Sequence, residues 1–398
     1  VQPKGRTTEN PETEAAPSFT RRIRKKFRVF SVRSGLDIPF LMLLLILIVI
    51  GLVMLFSSSY AYAYYYYGDS YYFITRQAGY AVAGVVIMLL VSYFDYHHLH
   101  KFAIPVLLVS YLLLAVVLAL PARNEVHRWI DFGFVNFQPS EIAKFSIILS
   151  FAHLISINFK RMDTFRYGVL PYMLILGATC ALLVLEPHIS ATAIVIMLGG
   201  VMLFIGGVKL RWFGAAAGLA VAAVLYLVIF TQEFAYANNR LEAWLDPFNA
   251  EIKDLTWQTR QSMMAIGSGG LLGLGLGQSR QKYLYLPEPQ NDFIFAIVCE
   301  ELGFIGALII IILFALLVWR GVTISLKAKD KFGMLLGAGL TLQVGIQVVL
   351  NIAVVTNTVP NTGISLPFFS SGGTSLIMLL AQMGIVLSIP RTSNIEKT

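Results

Sequence analysis

The chain has 398 residues, 57% hydrophobic and only 13% charged, with a mean hydropathy of +0.71 and a net charge of +8. A soluble domain carries about 25% charged residues, so the surplus apolar surface must face lipid, and the class is a polytopic membrane protein. The two cysteines, Cys180 and Cys299, lie far apart in apolar runs, which excludes a disulfide framework or a metal knuckle; the positive charge gathers beside apolar segments, where it sets membrane orientation, and no nucleic-acid partner is expected.

Residues 1–36 read as a cytoplasmic tail, with no cleavable signal peptide expected ahead of the first span. Pro11-Glu12-Thr13-Glu14 and its neighbours are too polar to pack, and Arg21, Arg22, Arg24, Lys25, Lys26, Arg28 and Arg33 form a basic collar before the membrane. Apolar segments of about 20 residues follow at 38–56, 79–93, 102–120, 142–157, 169–185, 189–205, 213–230, 293–319, 333–355 and 375–389. The expected fold is therefore all-α, with ten transmembrane helices in residues 37–390 and a second cytoplasmic tail at 391–398. The short loops assigned to the inside hold Lys101; Lys160, Arg161 and Arg166; Lys209 and Arg211; and Arg320, Lys327, Lys329 and Lys331, which places both termini in the cytoplasm by the positive-inside rule.

After the first span comes a run of tyrosines, Tyr60, Tyr62, Tyr64 to Tyr67, Tyr71 and Tyr72, read as an aromatic belt at the water–lipid boundary, with sugar stacking as the sharper alternative. His97, His98 and His100 lack the spacing of a metal site and read as a polar fringe. The segment Arg128-Trp129 through Phe137-Gln138-Pro139-Ser140-Glu141 opens the fourth span, with Ser140 a candidate N-cap. Glu141 and Lys144 share a face of that helix, and two charges there must meet each other or a wet cavity. Glu186, in the Glu186-Pro187-His188 turn, is a further outer carboxylate.

The loop at 231–292 is long enough to demand a role. Residues 237–247 read as a short helix ended by Pro247, and 256–266 as an amphipathic helix lying on the outer leaflet. The glycine run 267–277 is a poor phosphate-loop match; close packing explains it, and so would exposed amides holding a pyrophosphate with help from Arg280 and Lys282. The loop delivers Asp292 to the mouth of the next span, where a carboxylate stays ionised more cheaply than deeper in lipid. Glu300 and Glu301 follow inside that span, as proton carriers or as a helix–helix tie. The final outer loop, 357–374, enters the last helix through a polar, glycine-containing turn that suits an anion.

The order of these segments resembles the shape, elongation, division and sporulation (SEDS) family, whose members include FtsW, RodA and SpoVE. The resemblance rests on Arg128-Trp129, Gln138-Pro139-Ser140-Glu141 with Lys144, Arg240 with Trp244-x-Asp246-Pro247, and Gln258 with Gln261-Ser262. It continues through Leu286-Pro287-Glu288-x-x-x-Asp292, Glu300-Glu301-Leu302-Gly303, Asn351, Pro360-x-Thr362-Gly363 and Leu366-Pro367-Phe368-x-Ser370-x-Gly372-Gly373. The chain departs from the family pattern at Glu125-Val126, His188 and Ser371.

The resemblance implies a peptidoglycan glycosyltransferase of the bacterial cytoplasmic membrane that polymerises lipid II at its outer face, by an inverting, processive reaction. It implies Asp292 as general base, with Arg128, Lys144, Arg240, Gln258, Ser262 and Ser370 binding substrate or pyrophosphate and Trp129, Glu141, Glu288 and Glu300 in support. It also implies a divalent cation, Mg²⁺ or Mn²⁺, with unknown ligands, and as partners a class B penicillin-binding protein and other membrane proteins of the division or elongation machinery. A lipid flippase or transporter, or a scaffold for the cross-linking partner, are the alternative classes.

Overall fold

The computed structural model describes residues 35–120, 128–131, 136–216, 218, 244–248 and 253–393. Its helices are α1 (Ile38–Tyr67), α2 (Tyr72–Ser92), α3 (Leu99–Ala119), α4 (Pro139–Asn158), α5 (Leu170–Leu185), α6 (Ile189–Ile205), α7 (Lys253–Gly269), α8 (Ile294–Leu326), α9 (Lys331–Val355) and α10 (Gly373–Ser393). All but α7 are apolar along their length, and with short helical extensions eight are long and apolar enough to cross a membrane; α6 is apolar but shorter. These nine match nine of the ten expected spans, whereas of the span at 213–230 only residues 213–216 and 218 are described. A helix is the expected form because lipid offers no partner to an unpaired backbone group.

Polar caps set the ends. Asp37 accepts the Phe40 amide at 3.1 Å to start α1, Asp330 accepts the Gly333 amide at 2.9 Å to start α9, and Gly68 ends α1 in the left-handed region (φ 72°). Ser140 is not a cap, contrary to expectation. Gln138 occupies that position and Pro139 is the first helical residue, where its fixed φ and missing N–H are no penalty.

Helices α4, α9 and α10 form the centre of the bundle, with 56–61% of their apolar windows buried against 22–28% for α2, α3 and α8. Around this centre α10 packs on α2, α9 on α4, α6 and α8, and α8 on α1. Ion pairs and hydrogen bonds tie the expected inner loops together at one end of the bundle. Arg320 binds Asp37 through Nη2–Oδ2 at 2.8 Å and Nε–Oδ1 at 3.0 Å, His97 lies between Asp95 at 2.6 Å and Asp330 at 3.4 Å, and Lys209 reaches Asp163 at 3.2 Å.

The opposite end is built by the loop before α8. Helix α7 packs one face into the bundle: Thr256, Thr259, Ser262 and Ala265 are buried, and the helix lies against α8. The glycine run follows. It lies backbone to backbone against α8, with Leu274 and Gly275 amides donating to the Glu300 and Glu301 carbonyls at 2.9 and 3.0 Å, and Phe304 and Ile305 amides donating back to Gly270 and Leu271. Gly303 breaks α8 (φ 66°, ψ −171°), and a Cβ there would lie 2.3 Å from the Gly273 nitrogen, so close approach requires glycine on both sides. Close packing on α8 accounts for Gly269 and Gly273, while Gly270, Gly275 and Gly277 take a left-handed backbone (φ 53°, 102° and 80°).

Candidate active site

A short antiparallel pair, β1 (Ile130–Asp131) and β2 (Asn136–Phe137), brings the two ends of one outer loop together and is tied to α10 by the Thr374 hydroxyl donating to the Asn136 carbonyl at 2.8 Å. It sets Arg128 and Trp129 beside the start of α4. The Glu186-Pro187-His188 turn before α6 approaches the same point, and the Arg128 guanidinium Nη2 donates to the Pro187 carbonyl. The loop into α8 supplies Glu288, Asn291 and Asp292, and the loop into α10 supplies Gly363, Ile364, Ser371 and Gly372. Together they line a polar cavity of about 290 Å³ at the end of the bundle opposite the basic loops.

Six of the expected residues meet there: Asp292, Arg128, Trp129, Glu141, Lys144 and Glu288. Lys144 pairs with Glu141 at 2.7 Å, both largely buried in the cavity wall, so the pair satisfies its own charges while facing the space a ligand would fill. Ser370 lines a small extension of the cavity, where its hydroxyl donates to the Asn291 carbonyl at 2.6 Å and accepts from the Leu366 amide at 2.8 Å. Three expected residues sit elsewhere. The Gln258 amide oxygen accepts from Asn361 at 3.1 Å, the fully buried Ser262 hydroxyl donates to the Val355 carbonyl at 2.8 Å, and Glu300 is consumed within the loop–α8 packing, accepting from the Ser279 hydroxyl and from the Arg280 amide at 2.9 Å. These contacts hold the loops rather than face the cavity. Lys282 is likewise unavailable to a pyrophosphate: it is fully buried against Glu301 at 2.8 Å. Arg240 lies outside the described residues.

Asp292 is held from several sides. The Asn351 side-chain amide donates to the Asp292 carbonyl at 2.8 Å and to the Ile364 carbonyl at 2.6 Å, fixing the loop into α8 against the loop into α10. Gly363 takes a left-handed backbone (φ 67°), and a Cβ on it would stand 2.9 Å from Asp292 Oδ2. Glu288 is itself in the left-handed region (φ 47°), a conformation that costs a non-glycine residue about 1 kcal/mol and that recurs at functional loops.

Burial raises the Asp292 carboxyl to about 6, with neighbouring Glu288 adding to the rise and Arg128 opposing it. Glu186, fully buried with neither oxygen hydrogen-bonded among the described residues, is pushed up by burial to about 8 against the pull of Arg128. Burial therefore favours its neutral form, and it does not line the cavity. Burial, then Arg128 and Lys144, push His188 down to about 3, so it too is neutral. Asp292 lines the cavity with its carboxyl raised toward neutrality, the range in which a group can be ionised and still accept a proton.

The family model described as "cell cycle protein", for FtsW, RodA and SpoVE, matches residues 38–395. The chain belongs to this FtsW/RodA/SpoVE family. It is 38% identical over 81% of its length to a "probable peptidoglycan glycosyltransferase FtsW" of Geobacter sp. (strain M18), covering 87% of that protein. It is 37% identical over 82% of its length to "stage V sporulation protein E" of Bacillus subtilis (strain 168), covering 88% of it. Among solved structures it is similar to a chain of a peptidoglycan synthase complex described as coordinating polymerization and crosslinking, with a TM-score of 0.75 and 26% identity over 92% of this chain and 100% of that one. It is also similar to the rod shape determining protein RodA of Thermus thermophilus, with a TM-score of 0.66 and 25% identity over 90% of this chain and 98% of that one.

Within this family framework, the cavity contains residues that sequence reasoning passed over. Gln347 lines the wall from the middle of α9, and Gln343, Gln347 and Asn351 recur every fourth residue along that helix, all buried. Three amides on one face of an apolar span were a legible signal of a polar interior. As for a metal, no cluster of three or more His, Cys, Asp or Glu side chains forms among the described residues. Glu288, a cavity carboxylate beside Asp292, does fit the mode in which a magnesium ion takes one or two carboxylates and completes its shell with substrate phosphates and water.

Proposed function

We propose that this protein is a peptidoglycan glycosyltransferase that polymerises lipid II at the outer face of the bacterial cytoplasmic membrane, with both termini in the cytoplasm. The observation that carries the reading is the cavity in which Asp292, raised to about 6, shares one polar space with Arg128 and Lys144 at the end of the bundle away from the basic loops.

In the reaction a sugar hydroxyl attacks the anomeric carbon of a glycan held on a lipid pyrophosphate. The new C–O bond forms as the bond to the pyrophosphate oxygen breaks, the hydroxyl proton passes to an Asp292 carboxylate oxygen, and the lipid pyrophosphate leaves. Arg128 and Lys144 face the charge that develops on the departing oxygen, and preorganised cations are effective there because they need no reorganisation. A divalent cation, Mg²⁺ or Mn²⁺, would add positive charge at the pyrophosphate, with Glu288 as the carboxylate to hold it and Asp292 left free to accept the proton. A class B penicillin-binding protein and other membrane proteins of division or elongation are the proposed partners.

The test is lipid II polymerisation by the purified protein in nanodiscs, with and without the transpeptidase. Glycan product that depends on Asp292 supports the reading. Lipid movement across the bilayer without any product would replace it with a transporter.

The tight fit at Gly363 gives a sharper check. Gly363→Ala must either abandon its left-handed backbone or push on Asp292 Oδ2, and a displacement of about 1 Å at a reacting group costs on the order of 100-fold in rate. Polymerisation is expected to fall about 10- to 100-fold while global stability falls by only about 1–2 kcal/mol, read from the melting temperature. Equal activity in the alanine variant would show that Asp292 does not need this wall.

A further inference from the structure

The tyrosines after the first span are only partly explained by an aromatic belt. Residues 38–56 cover about 28 Å at 1.5 Å per residue, enough to cross a hydrocarbon layer of about 30 Å, yet α1 continues without a break to Tyr67. Helix α1 thus carries Tyr64, Tyr65, Tyr66 and Tyr67 on its last turns past Phe56, and Tyr67 meets Tyr72 at the start of α2, so the row stands at the outer rim of the membrane, at the end of the bundle that holds the cavity. Their side chains remain 51–68% exposed. A contiguous row of aromatic rings left uncovered by the rest of the chain is a surface another molecule can occupy.

The rings form an ordered array rather than a scatter. Tyr62 packs on Tyr66 with centroids 4.4 Å apart, Tyr65 meets Tyr66 edge-on at 4.9 Å, and Tyr67 stacks on Tyr72 at 3.9 Å, with the Arg76 guanidinium 4.1 Å above the Tyr72 ring. The array continues to the candidate active site by two routes. The Tyr60 hydroxyl bonds the Tyr283 hydroxyl in the loop that carries Asp292, and Tyr62 lies within electrostatic reach of Glu288, which lines the cavity.

We propose that this array is a binding platform for the glycan strand as it leaves the cavity; the proposal rests on the polymerase reading. A pyranose ring offers a flat C–H face that packs on an aromatic ring, and its hydroxyls pair with phenolic hydroxyls at the ring edge, so rows of tyrosine suit a repeating neutral sugar. The cations at the margin, Arg76 and the exposed Arg280, suit the carboxylates of the stem peptides the strand carries. A docking face for the transpeptidase is the competing occupant. Continuity with the cavity and the near absence of charge within the row favour the glycan.

The test compares wild type with a triple Tyr64→Ala, Tyr65→Ala, Tyr66→Ala variant and with the corresponding triple Phe variant, each in nanodiscs and each checked by melting temperature. Mean glycan length and the initial rate of lipid II consumption are measured together, and chitohexaose is used as a soluble probe by saturation-transfer NMR. In the Ala variant length is expected to fall at least threefold more than the rate, and the chitohexaose signal to be lost; the Phe variant keeps the stacking faces and retains most of both. Length and rate falling together, or unchanged length, overturns the platform. Loss of transpeptidase co-purification with unchanged length assigns the face to the protein partner instead. Absence of glycan from the wild type is a different failure, which removes the polymerase reading and the platform with it.

Discussion

Asp292→Asn is expected to lower lipid II polymerisation by about 100- to 10,000-fold, the range contributed by a positioned general base. The substitution keeps the size of the side chain and the backbone contact from Asn351, so the variant is expected to fold and to bind its transpeptidase as the wild type does. A rate within tenfold of wild type would remove Asp292 from the role of base. Glu186 does not line the cavity, so attention would pass to Glu288 or Glu141, which do.

The pH dependence makes the assignment specific to this side chain. A base must be unprotonated to act, so the rate is expected to rise with pH up to about 6 and to level off above it. The neighbours act with opposite signs. Glu288 raises the Asp292 carboxyl, so Glu288→Gln shifts the rising limb to lower pH; Arg128 lowers it, so Arg128→Gln shifts the limb to higher pH. Opposite displacements by two variants on either side of one carboxylate are hard to produce through general damage. Linkage adds a cost of the same sign as function demands. A carboxyl raised from 3.8 to about 6 favours folding while it is protonated, and that contribution is lost as pH rises through about 6, so the working, ionised state is the less stable one.

The membrane fold was legible because lipid imposes one rule on every span. Long apolar runs must be helices, and nine of them stand where the hydropathy places them. Asp292, Arg128, Lys144 and Glu141 were legible for a related reason, since charges at the rim of an apolar bundle need a wet space and found a common one. The contacts of the polar loops were not legible. Nothing in the spacing of Ser262 or Gln258 distinguishes a hydroxyl or amide that faces substrate from one that holds a loop to the Val355 carbonyl or to Asn361. His188 and Ser371, the expected departures that lie within the described residues, both line the cavity.

Lys282 carries the last expected result, a loss of about 3–5 kcal/mol in stability when it is replaced by alanine. Its ammonium is fully buried, 2.8 Å from Glu301 Oε1 and 3.2 Å from the Ser57 hydroxyl, and it lies 4.8 Å from the centre of the Tyr60 ring. Removing the cation strands a buried carboxylate. Glu301 does retain other donors, the Ser57 hydroxyl at 2.7 Å and the Gly277 and Ser279 amides at 3.0 and 3.2 Å, which places the expected cost toward the lower end of the range. Glu301→Leu should be worse, because it abandons those amides and the lysine together. The order of melting temperatures, wild type above Lys282→Ala above Glu301→Leu, checks the argument, and a Lys282→Ala variant melting with the wild type would refute it. The same contacts tie the glycine run and the tyrosine loop to α1 and α8 on the way to Glu288 and Asp292. Loss of polymerisation in Lys282→Ala at temperatures well below its melting point is therefore expected as well, through displacement of a carboxylate that the lysine never touches.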